Sequence, residues 1–220
     1  MQPVICHLAS LRVFHALLVT AADRSTPCPP SVLRAFPLLN FNITFHMNHN
    51  EIESLLRKLS DRLIERGLVG EVALYGGAAM VLAHRARLST KDVDAVFVPK
   101  QEVYQAVAEV AAIAEVENDW LNDAVKGFLS EKNDVLPLLD YPGLKVFVAA
   151  PEDLLAMKCL SMRLGRDETD LADVRFLMDR LGLRDAAQVL DLVSRYYPED
   201  RIQPKTRFAI EEICQHLSKP

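Results

Sequence analysis

The residues with the clearest chemical potential are Asp92 and Asp94, which a single valine separates. In an extended segment, side chains two residues apart point to the same face, so this spacing predicts two carboxylates side by side. Carboxylates this close repel each other and raise one pKa, and a bound Mg²⁺ would relieve the repulsion. Mg²⁺ prefers oxygen ligands from one or two carboxylates together with substrate phosphates. By itself, however, an Asp-x-Asp pair is more often a solvated strand end.

A pair of glycines, Gly76 and Gly77, lies upstream of the two acids and follows an apolar segment that ends at Tyr75. Glycines between a strand and a helix let the backbone approach an anion, and the first N–H groups of the helix favour a phosphate. A glycine pair alone is usually only a tight strand-to-helix turn. Together with the carboxylate pair and the short helix between them, it predicts a site for a metal ion and a nucleotide.

A lysine, Lys158, stands in the nearly apolar segment 152–162. Lysines are rarely buried without a partner, so its ammonium group either extends to the surface or reaches an anion in a cleft. Farther along, Asp170 shares a helical face with Asp173 and with Arg166, which is the spacing of ordinary ion pairs on a helix surface. Exposed pairs contribute little to stability, so stability alone gives little reason for this density of charge.

The elements that would position these residues follow from the hydrophobic pattern after Met47. Apolar residues at three- and four-residue spacing predict a helix from Ile52 that ends before Gly67. Strands are predicted over 71–75, 92–98, 136–139 and 144–149, and further helices over 78–84, 102–114, 152–162, 170–181, 185–196 and 205–217. The expected fold class is α/β (α+β), a small mixed sheet flanked by helices with a C-terminal helical cap.

The composition is that of a globular protein, with 220 residues of which 50% are hydrophobic and 25% charged. The first 46 residues differ from the rest, because they hold Asp23 as their single acid, three arginines, no glycine and five of the twelve prolines. The remainder has 29 acidic and 22 basic residues, so it is more acidic than the total net charge of −5 suggests. We expect residues 1–46 to form a poorly ordered extension, 47–150 an α/β core and 151–220 a helical region.

The apolar stretch 3–22 raises the question of a membrane or secretory segment. His7, Arg12 and His15 interrupt it, whereas a spanning helix needs about 20 residues with few or no charges. A secretory signal would carry its positive charge before the apolar segment, and Arg12 lies inside it. The four cysteines include no C-x-x-C, so the expected location is the reducing cytoplasm, with no membrane partner.

At the glycine pair, the Asp-x-Asp pair and the charged residues of the helical region, the chain resembles the minimal nucleotidyltransferases of the abortive-infection and toxin–antitoxin type. The resemblance covers about 51–213 and is carried by Gly76-Gly77-Ala78-Ala79, Thr90-Lys91-Asp92-Val93-Asp94, Trp120-Leu121-Asn122-Asp123, Lys158 and the helix Arg166-Asp167-x-x-Asp170-x-x-Asp173. It implies a polymerase-β-like nucleotidyltransferase fold that binds an NTP with Mg²⁺ (or Mn²⁺). The implied reaction transfers a nucleoside monophosphate to a nucleic acid or protein acceptor and releases pyrophosphate.

The resemblance also implies roles for individual residues. Asp92 and Asp94 would hold the metal ion, Lys158 would reach the phosphates, and Asp170 or Asp173 would match the acidic residue on the following helix; all five residues are expected to be catalytic. The residues implied to bind the nucleotide are Gly76, Gly77, Ala78, Thr90, Lys91 and Arg166. These residue types suit phosphoryl-type transfer, which needs positioning and charge neutralisation more than covalent chemistry.

Two positions depart from the pattern of that group. Ala78 stands where a serine or threonine usually bonds a phosphate. Residues 144–150 lack the carboxylate that commonly stands on a later strand, and Asp140 before the turn is a poor substitute. Since a two-metal arrangement needs ligands on both ions, an alternative is a catalytically inactive module of the same fold that binds a nucleotide or a protein partner.

The charge distribution limits the acceptor. A negative chain disfavours a broad nucleic-acid surface, because neutralising phosphates requires clustered lysines and arginines. Lys158, Arg163, Arg166 and Arg175 form a local group that would suffice for a tRNA end. A third interpretation is an interaction protein whose apolar helices bind a cognate antitoxin, so the expected partners are an NTP, a tRNA or protein acceptor, and an antitoxin.

Overall fold

The structure, a computed structural model, describes residues 46–162 and 168–217. Of the expected extension 1–46, only His46 falls within the described residues, and Arg166 falls outside them. No helix in these described ranges combines the length and the apolar character that crossing a membrane requires.

The strands form two sheets. Their bounds are β1 Met47–Asn48, β2 Gly70–Leu74, β3 Ser89–Thr90, β4 Val93–Val98, β5 Leu121–Asn122, β6 Val135–Tyr141 and β7 Leu144–Ala149. A five-stranded sheet has the order β5-β4-β2-β7-β6, and β1 pairs with β3 in a separate two-stranded sheet. Strand β2 is antiparallel to β4 and parallel to β7, which confirms the mixed sheet expected from the sequence.

The helices pack against this sheet and continue beyond it. Their bounds are α1 His49–Glu65, α2 Gly76–Leu82, α3 Lys100–Ala114, α4 Pro151–Ser161, α5 Glu168–Arg180, α6 Ala186–Tyr196 and α7 Pro204–Leu217. Short 3₁₀ helices span Ala124–Phe128 and Glu199–Arg201. The six helices predicted after Gly67 agree with these bounds to within two residues, which confirms the C-terminal helical cap. The strands β1, β3 and β5 are not predicted by the sequence, because two residues are too few to show a period.

Helix α1 begins at a capping box. The Asn48 side chain accepts hydrogen bonds from the N–H groups of Asn50 and Glu51, and the Glu51 carboxylate accepts one from the Asn48 N–H at 2.7 Å. These bonds satisfy N–H groups that have no partner inside the helix. The buried stripe of α1 packs against α3 and β7, and consists of Ile52, Leu55, Leu56, Leu59 and Leu63.

The two faces of the five-stranded sheet differ in burial. On one face, Val72, Val93 and Val146 are at most 1% exposed and belong to the core shared with α1 and α3. The opposite face carries a shallow groove of about 250 Å³, whose apolar lining includes Ala73, Val96, Val98, Val135 and Phe147. Asp94 belongs to this second face, because it alternates along β4 with the buried residues. The carboxylate therefore lies on the open side of the sheet, near the beginning of its strand.

Candidate active site

A cleft of about 780 Å³ lies at the end of the large sheet where β2 finishes and β4 begins. Its walls come from the α2–β3 loop, from the segment between β3 and β4, from the 3₁₀ helix Ala124–Phe128, and from α4 and α5. Its charged and polar lining includes Arg87, Thr90, Lys91, Asp92, Asp94 and Asp173. Residues from separate parts of the sequence thus meet in one cleft of a size that admits a nucleotide.

The two carboxylates of the Asp-x-Asp pair both line this cleft. Asp92 immediately precedes β4 and is exposed, whereas Asp94 is its second residue and is partly buried. Burial, and then the charge of Asp92, raise the pKa of Asp94 to about 6, while the positive charge of Lys158 opposes the shift. Ionised Asp94 is therefore held at an energetic cost that a nearby cation would lower.

The donor set fits a hard divalent cation that shares its ligands with a substrate. Among the described residues, no group of three or more His, Cys, Asp or Glu side chains could hold a metal ion. A cation at Asp92 and Asp94 would thus depend on phosphate and water oxygens for its other ligands. That combination is the one Mg²⁺ prefers.

The glycine pair packs directly against the segment that carries the acids. Gly76 has a φ of +53°, and a Cβ on it would lie 2.6 Å from Asp94 Oδ2. A Cβ on Gly77 would overlap the Thr90 hydroxyl and lie 3.1 Å from Thr90 Cβ. The Tyr75 N–H donates to the Asp94 carbonyl oxygen at 2.9 Å and ties the turn to β4. Both positions require glycine for close approach to Asp94 and Thr90, independently of any ligand.

Replacing Gly77 by alanine should destabilise the protein through this contact. Thr90 is β-branched and 6% exposed, so it has little freedom to move away from an added methyl group. We expect the free energy of unfolding, measured by urea denaturation, to fall by about 1–3 kcal/mol. Gly127→Ala is the matched control, because a Cβ there would have no atom within 4 Å. Equal stability of the two variants would contradict the packing role of Gly77.

The Lys158 side chain is buried in α4, only 8% exposed, and pairs with carboxylates of α5. Its Nζ lies 2.8 Å from Asp173 Oδ2 and 3.5 Å from Asp170 Oδ1. Arg87 donates to both oxygens of Asp173, from Nε to Oδ1 at 2.7 Å and from Nη2 to Oδ2 at 2.5 Å. Of the two interpretations of Lys158, the structure therefore supports an ammonium group that meets anions in the interior.

The same contacts distinguish Asp173 from an ordinary surface charge. Asp173 is 2% exposed and its main partner, Arg87, comes 86 residues earlier in the chain. Asp173 thus contacts a distant segment of the chain in the interior, whereas the spacing alone is typical of ordinary ion pairs on a helix surface. We name Arg87, Lys158, Asp170 and Asp173 the buried charge cluster, after its buried members Lys158 and Asp173; its two cations and two anions balance each other.

Arg87 is a site residue that the sequence analysis missed. It lines the cleft, and its Nη1 lies 3.5 Å from where a Cβ of Gly77 would be. Its local sequence, in a loop with Arg85 two residues earlier, resembles any exposed basic segment. The available signal was its position five residues before Asp92, close enough to reach the same cleft.

The strand beside β4 presents an amide where a third carboxylate could stand. Strands β4 and β5 are parallel with Asp94 opposite Asn122, so the two side chains share a face. The Asn122 Oδ1 accepts a hydrogen bond from the Ala124 N–H at 2.9 Å. Asp140, in contrast, lies on the outer strand β6, three positions from β4 in the sheet. Its partner in the strand register is Lys145 of β7. Asp140 therefore does not supply the missing carboxylate. Its position before the turn already made it a poor substitute.

Asp123, the next acid along the chain, has partners of its own. Its Oδ2 lies 2.9 Å from Lys100 Nζ and 2.5 Å from Lys126 Nζ, and its Oδ1 accepts from the Tyr104 hydroxyl at 2.5 Å. Hydrogen bonds from Lys126, Tyr104 and Lys100 hold the pKa of Asp123 well below its usual value. The bonds of this carboxylate to Lys100 and Tyr104 therefore connect the end of β5 to α3.

The other residues predicted to bind the nucleotide lie partly in the cleft and partly away from it. Thr90 and Lys91 line the cleft, and Ala78 is fully buried in α2 with both glycines. The roles of these residues in nucleotide binding stay predictions, and so does that of Arg166, which lies outside the described residues.

The fold and the site together define a class of protein. A mixed five-stranded sheet with a Gly-Gly turn against an Asp-x-Asp strand, flanked by helices and followed by a helical cap, is a nucleotidyltransferase-like fold. The chain belongs to the family described as "Nucleotidyltransferase of unknown function (DUF6036)", whose model matches residues 50–204. Comparison with curated proteins and with solved structures gave no match.

Proposed function

We propose that this protein is a Mg²⁺-dependent nucleotidyltransferase that moves a nucleoside monophosphate from an NTP to an RNA, such as a tRNA, or to a protein acceptor. The observation that carries the proposal is the convergence of Asp92, Asp94, Arg87 and Lys91 in one cleft. Two acids would hold the metal ion, and two cations would face the phosphates. Membership of a nucleotidyltransferase family supports the same reaction class.

The proposed reaction needs charge neutralisation more than covalent participation by the protein. The oxygen of an acceptor hydroxyl attacks the α-phosphorus, the bond from that phosphorus to the bridging oxygen breaks, and pyrophosphate leaves with the electron pair. The hydroxyl proton passes to solvent. When bound by Asp92 and Asp94, Mg²⁺ (or Mn²⁺) neutralises the triphosphate and polarises its oxygens.

The buried charge cluster has a supporting part in this proposal. Lys158 remains our candidate phosphate contact, and its charge already acts on Asp94. Asp170 and Asp173 would then be positioning residues, which hold the cations of Lys158 and Arg87 toward the cleft.

We place the protein in the cytoplasm and propose a cognate antitoxin as a partner, in a toxin–antitoxin or phage-defence system.

The test is transfer of label from each of the four NTPs to total RNA or total protein in the presence of Mg²⁺. We expect one acceptor class to become labelled, and the label to disappear in the Asp92→Ala, Asp94→Ala double variant. Asp140→Ala is the matched control, because it removes an exposed carboxylate three strands away and should retain transfer. Transfer by the double variant would refute the proposed metal-binding role.

A second function is favoured by two specific features. Ala78 lacks the hydroxyl that usually bonds a phosphate, and Asn122 presents an uncharged amide beside Asp94. A nucleotide-binding or partner-binding module without transfer activity would tolerate both. Metal-dependent nucleotide binding by calorimetry without transfer would establish a nucleotide-binding module, and absence of nucleotide binding would leave only the interaction with a protein partner.

A further inference from the structure

An aromatic ring lines the candidate active site without a part in the chemistry considered so far. Phe128 ends the 3₁₀ helix Ala124–Phe128, and its side chain is 43% exposed although the residue lines the cleft. The 3₁₀ helix packs against β4, the strand that carries Asp94. A large apolar surface is thus held open to water beside the charged part of the cleft.

The backbone under this ring is fixed by side chains of the C-terminal helical region. The buried Tyr197 hydroxyl donates to the Phe128 carbonyl oxygen, and Arg201 Nη2 donates to the Gly127 carbonyl oxygen at 2.9 Å. Burial raises the pKa of Tyr197, so its hydroxyl stays protonated and able to donate. At the other end, the Ala124 N–H donates to Asn122. Successive anchors hold the backbone that carries the ring in position, which lowers the entropic cost of using the ring to bind a ligand.

We propose that the Phe128 ring is the stacking surface for the nucleobase of the bound nucleoside triphosphate. This inference rests on the proposed nucleotidyltransferase function and names the part of the cleft that receives the base. The triphosphate would lie toward Arg87, Lys91 and the acids, while the base lies against the apolar wall. Stacking on an aromatic ring suits any base, because every base has a π face.

The surroundings of Phe128 also determine how selective the site is. The neighbouring lining residues Ala124 and Val125 have apolar side chains, which offer no hydrogen bond to the edge of a base. Recognition by stacking without edge contacts gives modest preferences that follow stacking strength. The stacking contribution of Phe128 should therefore be similar for the four nucleotides, and somewhat larger for the purines than for the pyrimidines.

The test compares two ligands that differ by the nucleoside. Calorimetry with the full chain and Mg²⁺ would measure the affinities of ATP and of inorganic triphosphate, which has no base. We expect Phe128→Ala to weaken ATP binding about 5- to 150-fold and to change the affinity for inorganic triphosphate less than about twofold. Phe128→Trp should retain ATP binding. Phe208→Ala, which removes a 68% exposed ring from α7, is the matched control and should have no effect.

Each outcome separates this inference from the function it rests on. If Phe128→Ala binds ATP as tightly as the unaltered protein, the inference is wrong while nucleotide binding stands. An equal loss for ATP and inorganic triphosphate would also overturn it, because the ring would then act on the phosphates. An unaltered protein that binds neither ligand would overturn both the inference and the proposed function.

Discussion

Asp94→Asn is expected to lower nucleotide transfer by roughly 1000-fold, since a metal-held charge contributes several kcal/mol to transition-state stabilisation and each tenfold in rate is about 1.4 kcal/mol. Asparagine has nearly the shape of aspartate but no charge, so the change isolates electrostatics from packing. The rate of label transfer at saturating NTP and Mg²⁺ measures the effect. Asp140→Asn should transfer at the rate of the unaltered protein.

The same substitution should make the metal-free protein more stable at neutral pH. Because burial and Asp92 raise the pKa of Asp94 to about 6, ionising this carboxyl costs more in the folded than in the unfolded protein. The folded protein therefore loses stability as the pH rises from about 4 to about 6, and the Asp94→Asn variant avoids that loss. We expect an advantage of about 1–3 kcal/mol above pH 7, which disappears below about pH 4.

Thermal or urea unfolding between pH 4 and 8 would measure the stability of the variant relative to the unaltered protein, and label transfer would measure its loss of activity. Mg²⁺ with a bound nucleotide should reduce the advantage of the variant, because ligands that bind only the folded state stabilise it. A variant that is less stable than the unaltered protein at pH 8 would contradict the assignment of repulsion at Asp94. Retained transfer would remove Asp94 from the proposed metal site.

Asp173→Asn should have the largest effect on folding, a loss of about 3–5 kcal/mol in the free energy of unfolding. Asp173 is nearly inaccessible to solvent and joins Arg87 to Lys158. An asparagine leaves the buried Lys158 and the partly buried Arg87 with only Asp170 as an anionic partner, at 3.9 Å from Arg87 and 3.5 Å from Lys158. Removing one member of a buried ion pair leaves uncompensated charge, which costs more than the pair contributed.

Urea denaturation monitored by the fluorescence of the buried Trp120 would measure that loss. Asp179→Asn is the control, because Asp179 is a 72% exposed acid on the same helix that pairs with Arg184. It should change stability by less than about 1 kcal/mol. The double variant Arg87→Met, Asp173→Asn should recover part of the loss, since it removes one unpaired cation. A cost for Asp173→Asn no greater than that of Asp179→Asn would mean that water reaches the cluster.

Local patterns explain why much of the site was predictable. The period of two around Asp92 and Asp94 and the glycines after an apolar strand are contained within a few residues, where sequence and conformation are directly linked. The helices were predictable for the same reason, since caps and apolar stripes recur at fixed spacing. The structure adds that Gly76 and Gly77 are required by the approach of Asp94 and Thr90.

Contacts between distant segments account for what the sequence could not show. The pairing of Arg87 with Asp173 has no local signal, because each residue alone resembles a solvated charge. The position of Asn122 beside Asp94 depends on a two-residue strand and its register. The anchoring of Phe128 by Tyr197 likewise connects residues that only the complete fold brings together.

The order of strands in the large sheet has a consequence for protein synthesis. Strand β2 can pair with β4 once residue 98 has left the ribosome, but its other neighbour, β7, spans Leu144–Ala149. Until then one edge of β2 has no strand to pair with, and unpaired edges are where nascent chains associate wrongly. Completion of the cleft waits still longer, for Asp173. A growing chain therefore exposes an unfinished sheet while the segment between β4 and β7 is made, and acquires its buried charge cluster only later.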